Sequence, residues 1–226
     1  MIRFFAQPVR LLSILVICTF IPVVMAAVHL VQIPFDALPE DSVRLTAVPL
    51  SHFFHALGGF LFGALGPLQF FHVLRCRFGT FHRVAGRVFV LAGLALAVSG
   101  LSLLLQVESV ATQLLDAARG VFSLALTAAL ILGVAAAWDR RLFQHRIWMI
   151  RAYAIGMGSG TVALVMFPIY LITGEPVMGL ASDIVVVGVW LLNIAIGERV
   201  IWSLSESRTA SPAAAMTNNP STESVT

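Results

Sequence analysis

The stretch VFVLAGLALAVSGLSLLLQV, Val88–Val107, carries no charged residue. It has the ~20 residues that a helix needs to cross a hydrocarbon core. Arginines precede it at Arg75, Arg77, Arg83 and Arg87, and Glu108 follows it. Five more apolar runs lie on either side: Leu11–Val31, Leu50–Leu74, Ala118–Trp138, Ala152–Thr173 and Asp183–Ser203. The pattern predicts an all-α, polytopic membrane bundle of six transmembrane helices over residues 1–204. Composition points the same way. Of 226 residues, 59% are hydrophobic and 11% are charged, against roughly 45–50% and 25% in soluble domains.

All 14 basic residues are arginine. Without lysine there is no intramembrane Schiff base. With the N-terminus placed inside, the inner segments hold Arg3, Arg10, Arg75, Arg77, Arg83, Arg87, Arg140, Arg141, Arg146, Arg151, Arg199 and Arg208. Only Arg44 and Arg119 fall outside, with Asp36, Glu40, Asp41, Glu108, Asp116, Glu175 and Asp183. This asymmetry predicts a bacterial cytoplasmic membrane protein with both termini in the cytoplasm. The positive charge then faces anionic lipid headgroups rather than nucleic acid.

Arg3 and Arg10, with Val24-Met25-Ala26 further on, resemble a signal peptide and its cleavage site. The apolar run reaches Val31, too long for a typical signal core, so a retained helix is expected. The loop from Gln32 to Pro49 carries three prolines and reads as an irregular outer cap. Residues 205–226 lack apolar periodicity and read as a disordered cytoplasmic tail. Cys18 and Cys76 fall at different depths, which argues against a disulfide. Gly59/Gly63 and Gly156/Gly160 have the small-residue spacing of close helix contacts. Gly156–Gly160 lacks the strand and spacing of a phosphate loop. There is no HExxH, P-loop, nucleophile elbow or CxxCH motif.

Two inner segments resemble each other. RCRFGTFHRVAGR, Arg75–Arg87, and DRRLFQHRIWMIR, Asp139–Arg151, share R-x4-H-R and a later arginine. Spans 2–3 and 4–5 thus read as a duplicated hairpin, with both segments expected to be loops. GPLQF at Gly66–Phe70, the HR-x-x-GR segment at His82–Arg87 and HR-x-WM-x-R at His145–Arg151 resemble the marks of domain-of-unknown-function family 2306. The resemblance covers about residues 51–170. It implies a multi-span membrane fold and no established activity. It also suggests an arginine in the fifth span, yet no charge lies between Ala152 and Gly174.

The second span carries a polar and glycine-rich stripe: His52, His55, Gly59, Gly66 and Gln69 stay near one side at helical spacing. Pro67 should bend the helix near Gln69. One reading makes His52 and His55 interfacial and Gln69 an interhelical hydrogen-bonding residue. The other makes the stripe the lining of a quinone, haem or lipid pocket. A b-type haem needs two axial ligands at one depth. The inner choices are His82 with His145, or His72 with either; the outer choices are His29 with His52 or His55. On one straight helix His55 and His72 would point about 100° apart. The inner arginines Arg77, Arg83, Arg87, Arg146 and Arg151 allow a competing reading, an anion or headgroup site. Arg119 and Asp183 are placed to pair, and Glu198 and Arg199 are expected to snorkel separately. The function classes left open are a redox or cofactor-binding module, a lipid or small-molecule binder or transporter, and a structural subunit.

Overall fold

The computed structural model describes residues 8–35, 37–38, 45–109, 111–175 and 177–217. Arg3, Asp36, Glu40, Asp41, Arg44 and residues 218–226 lie outside these. The helices are α1 (Pro8–Gln32), α2 (Pro49–Gln69), α3 (His72–Arg77), α4 (Gly79–Gln106), α5 (Gln113–Trp138), α6 (Leu142–Gly156), α7 (Gly158–Thr173) and α8 (Gly179–Thr217). A 3₁₀ turn at Ile33–Phe35 follows α1.

Five segments are long and apolar enough to cross a membrane: Val16–Phe35, α4, α5, α6 with α7, and Gly179–Glu206. Their most apolar windows are only 6–33% buried. In water so much exposed Leu, Ile and Phe would be a severe penalty; in lipid it costs nothing. The chain is a helical membrane protein. The expected count of six apolar spans is corrected to five. The difference is α2, whose two histidines and terminal glutamine lower its hydropathy. It is nevertheless 21 residues long, about 31 Å at 1.5 Å per residue, and lies against α1 and α4.

The α2–α4 contacts run in opposite directions along the two helices. Ser51 Oγ meets Ser102 Oγ at 2.8 Å, His55 meets Leu96 O, Phe62 stacks on Phe89 at 4.4 Å, and Gln69 lies over Gly86. The pair is therefore antiparallel. So are α5 and α6, joined by a tight turn in which Arg140 takes a positive φ of 58°. These two hairpins form the core. α1 covers α2 and α7, and α8 covers α5, α6 and α7.

Three expected boundaries move. The run Leu50–Leu74 is not one helix. Pro67 offers no N–H, α2 stops at Gln69, and Phe71 N bonds back to Leu68 O at 3.3 Å. Pro67 thus accompanies a break rather than a bend, and His72 belongs to α3, so it shares no helix axis with His55. The two arginine segments are not loops. α4 begins at Gly79 and α6 at Leu142, because long arginine side chains let a helix continue into the headgroup layer. Finally, the chain does not become irregular at Ser205: α8 continues to Thr217. Past Ser205, Arg208 sits over the Phe143 ring at 4.6 Å, which ties this part of α8 to the start of α6.

Candidate functional site

The arginine-bearing end holds the residues of the repeat. His82 and His145 are each the fourth residue of their helix, α4 and α6. Their backbone N–H groups make equivalent first-turn bonds, to Phe78 O at 3.0 Å and Arg141 O at 2.9 Å. His145 Nδ1 lies 2.8 Å from Gly133 O on α5. A carbonyl only accepts, so Nδ1 carries the proton, and in the neutral ring Nε2 is the nitrogen that keeps its lone pair. His82 Nδ1 is buried and has no hydrogen-bond partner among the described residues. His82 is within electrostatic range of Arg75, His145 and Arg83, and Arg75 is within range of Arg146. Arg83 also donates to Thr80 Oγ1 in its own turn at 3.1 Å. Arg77 and Arg87 are exposed.

The α2 stripe surrounds no single void. His55 donates through Nδ1 to Leu96 O at 3.2 Å, the Tyr153 ring occupies the space over Gly66, and Gln69 Oε1 is against Gly86. The helix touches three partners in turn, α1, α4 and α6, so residues on one side of it meet different neighbours. At the opposite end His29 of α1 and His52 of α2 touch edge to face, with ring centres 5.2 Å apart. His52 is 5% exposed. Both Nδ1 atoms are buried without partners among the described residues, and a cavity of about 70 Å³ lies beside His52, lined by Leu38, Leu45 and Pro49.

An aromatic layer separates the two ends. Phe62 and Phe89 are each 1% exposed, and Tyr153 lies 5.8 Å from Phe62, 5.1 Å from Phe70 and 6.3 Å from Phe89. Its hydroxyl is buried and unpartnered among the described residues.

A second polar site was not anticipated. Arg151 of α6 grips Glu198 of α8 with Nε to Oε1 at 2.6 Å and Nη2 to Oε2 at 3.0 Å. The fifth span begins at Leu142 rather than Ala152, so Arg151 lies within it. Two opposite charges in neighbouring apolar runs were the available signal. Reading Glu198 only with its neighbour Arg199 missed it; Arg199 instead lies over Trp202 at 4.7 Å. Arg119 pairs with Asp116 at 3.4 Å, not with Asp183. Asp183 accepts the Thr112 N–H at 2.7 Å, capping the start of α5 from another helix. Cys18 and Cys76 form no disulfide with each other.

No curated protein and no solved structure matches the chain. A family profile matches residues 52–201, extending the resemblance read from the motifs through the end of α7 and into α8. The aromatic layer, both core hairpins and the Arg151–Glu198 pair fall within that match, and the chain belongs to the predicted membrane protein family DUF2306.

Proposed function

We propose that this protein is a membrane redox module that holds one b-type haem between His82 and His145 at its arginine end. The observation that carries the reading is the pairing of two differently prepared imidazoles in matching helical positions. His145 has its Nδ1 proton tied to Gly133 O, which orients the ring and leaves Nε2 as a Lewis base, the arrangement used by metal-ligating histidines. His82 carries a buried ring nitrogen with no partner among the described residues, a group that a ligand would satisfy.

Both residues are on helices, where axial ligands are held firmly. Among the described residues no group of three or more His, Cys, Asp or Glu is placed to hold a metal ion. Two protein ligands are enough when a macrocycle supplies the other coordinating nitrogens. Arg75 repels Arg146 and, with Arg83, acts on His82, and two propionates would relieve that positive charge through charge-assisted hydrogen bonds. The outer pair is less suited: the His29 and His52 rings already touch, whereas an iron between them would need about 4 Å between ligating nitrogens, from ~2 Å per bond.

Absorption spectroscopy of the full chain, purified from haem-supplemented bacteria, tests the reading. A Soret band is expected, lost in His82→Ala and in His145→Ala and kept in His52→Ala. Absence of the band, or its survival in both inner variants, overturns the assignment. Phosphate-dependent thermal stabilisation that both inner variants lose, without a band, would make this end an anion or headgroup site.

A further inference from the structure

His29 and His52 meet at the end of the bundle opposite the arginines. His29 stands in the last turn of α1, and His52 is the fourth residue of α2. Their rings touch edge to face, with centres 5.2 Å apart. His52 is 5% exposed. The Nδ1 atom of each ring is buried and has no hydrogen-bond partner among the described residues. Buried polar atoms are normally satisfied, so two orphaned nitrogens on touching rings from different helices call for a shared partner. His55, three residues further along α2, has no such need, because its Nδ1 is held by Leu96 O.

The room for a partner is present. A cavity of about 70 Å³ lies beside His52, with Thr46 as the other polar side chain of its wall. One water needs about 10–15 Å³, so the cavity can hold the water ligands of an ion bound to the rings. The donor set selects the kind of ion. Magnesium and calcium take six or more oxygens, whereas the described lining offers one hydroxyl and no carboxylate. Ions that seek thiolate find no cysteine in these two turns. Imidazole suits copper, zinc and nickel, and Cu(II) binds a nitrogen site most tightly of the three. A ring that binds through Nδ1 keeps its proton on Nε2. A haem differs from such an ion, because its two axial ligands must lie in line on opposite faces of the macrocycle. A bare ion accepts adjacent ligands, whose nitrogens are about 2.8–3.3 Å apart at ~2.0 Å per bond. Rings already in contact reach that spacing by turning about χ2, a soft torsion in histidine.

We infer that His29 and His52 form a binding site for one divalent transition-metal ion, copper above all, held by the two Nδ1 atoms and completed by water. The ion clips the end of α1 to the start of α2. The site shares no residue with the His82–His145 assignment, so either can fail alone.

The test is titration of the full chain, purified with a histidine-free tag, with Cu(II), followed by electron paramagnetic resonance. One equivalent should bind, with hyperfine coupling to two nitrogens. His29→Gln and His52→Gln keep a polar side chain but remove the ligating ring nitrogen. Each should weaken binding at least tenfold and abolish the two-nitrogen pattern. His72→Ala, which removes an imidazole from α3, should leave both unchanged. Zn(II) should compete for the same equivalent and Mg(II) should not. Cu(II) should raise the unfolding temperature of the parent and of neither glutamine variant, and unfolding without metal checks that both variants fold. Equal copper affinity in the parent and both glutamine variants, or a bound signal without nitrogen coupling, overturns the site. Failure to saturate below millimolar copper overturns it too and leaves water as the partner of the two rings.

Discussion

Gly58 and Gly59 are adjacent and have opposite roles. A Cβ on Gly58 would lie 2.7 Å from Leu96 N and 2.8 Å from Ala92 O, both backbone atoms of α4. A Cβ on Gly59 would meet only the Leu96 side chain, at 3.7 Å. Gly58→Ala must therefore push α2 and α4 apart and should cost about 1–3 kcal/mol, the usual range for overpacking. Gly59→Ala should be neutral or stabilising by up to ~1 kcal/mol, since alanine is the better helix former. Thermal unfolding of both variants in one detergent checks the contrast; equal loss would show that α2 and α4 do not meet as described. The Gly59/Gly63 spacing in the sequence points to the wrong first member. Spacing identifies small residues on a helix, but only the crossing point with α4 singles out the one with no room. The histidines follow the same logic. Their residue types and the R-x4-H-R match were legible. That His145 would find Gly133 O was not, because α5 precedes it in the chain and the bond depends on how the hairpin closes.

Among the helices, the interruption between α6 and α7 has an identifiable cause. Gly156, Gly158 and Gly160 weaken the helix intrinsically, and the Trp190 ring of α8 fills the space over Gly158. Trp190 Nε1 donates to Ile155 O at 2.8 Å, so a carbonyl at the break has a partner within the protein, as an apolar surrounding requires. Trp190→Phe keeps most of the ring and removes the donor. It should lower stability by about 1–2 kcal/mol, the cost of a buried acceptor left unmade. Hydrogen–deuterium exchange should rise locally around residues 155–161. Unchanged exchange there would show that the indole fills space only. At its far end α7 stops at Gly174, whose φ of 73° is the left-handed C-cap that glycine adopts without strain. Apolar periodicity placed these helices within a few residues, but it left out the first turns of α4 and α6. Those turns and the ones after them, with Arg83 and Arg87 in α4 and Arg146 and Arg151 in α6, fall outside the apolar runs, since hydropathy does not register a side chain whose stem is apolar and whose head reaches water.

For the bundle as a whole, the charged ends are the main asymmetry. Arg75, Arg77, Arg83, Arg87, Arg140, Arg141 and Arg146 lie in α3, in the N-terminal part of α4, in the turn before α6 or in its first two turns, and Arg151 follows further along α6. The opposite end carries Glu108, Asp116, Glu175 and Asp183. The positive-inside rule predicts that the arginine end faces the cytoplasm. In a bacterial host, a fluorescent reporter fused after Trp138 should be active. Alkaline phosphatase fused after Thr173 should be active too. Phosphatase activity at Trp138 would reverse the orientation. α2 is the one long helix that hydropathy alone undercounts. It can hold His55 because Leu96 O of α4 takes the place of water, whereas His52 Nδ1 is buried without a partner among the described residues.

Membrane residence, the approximate helix positions, the charge asymmetry and the family motifs can all be read along the chain. They rest on local composition and on periods of a few residues, and lipid solvation responds to those quantities directly. The site had to await the packed bundle. Arg151 and Glu198 pair across 47 residues, and Asp183 caps α5 across 71. Such contacts depend on the rotation and crossing of each helix relative to its neighbours, and no period in the sequence encodes them.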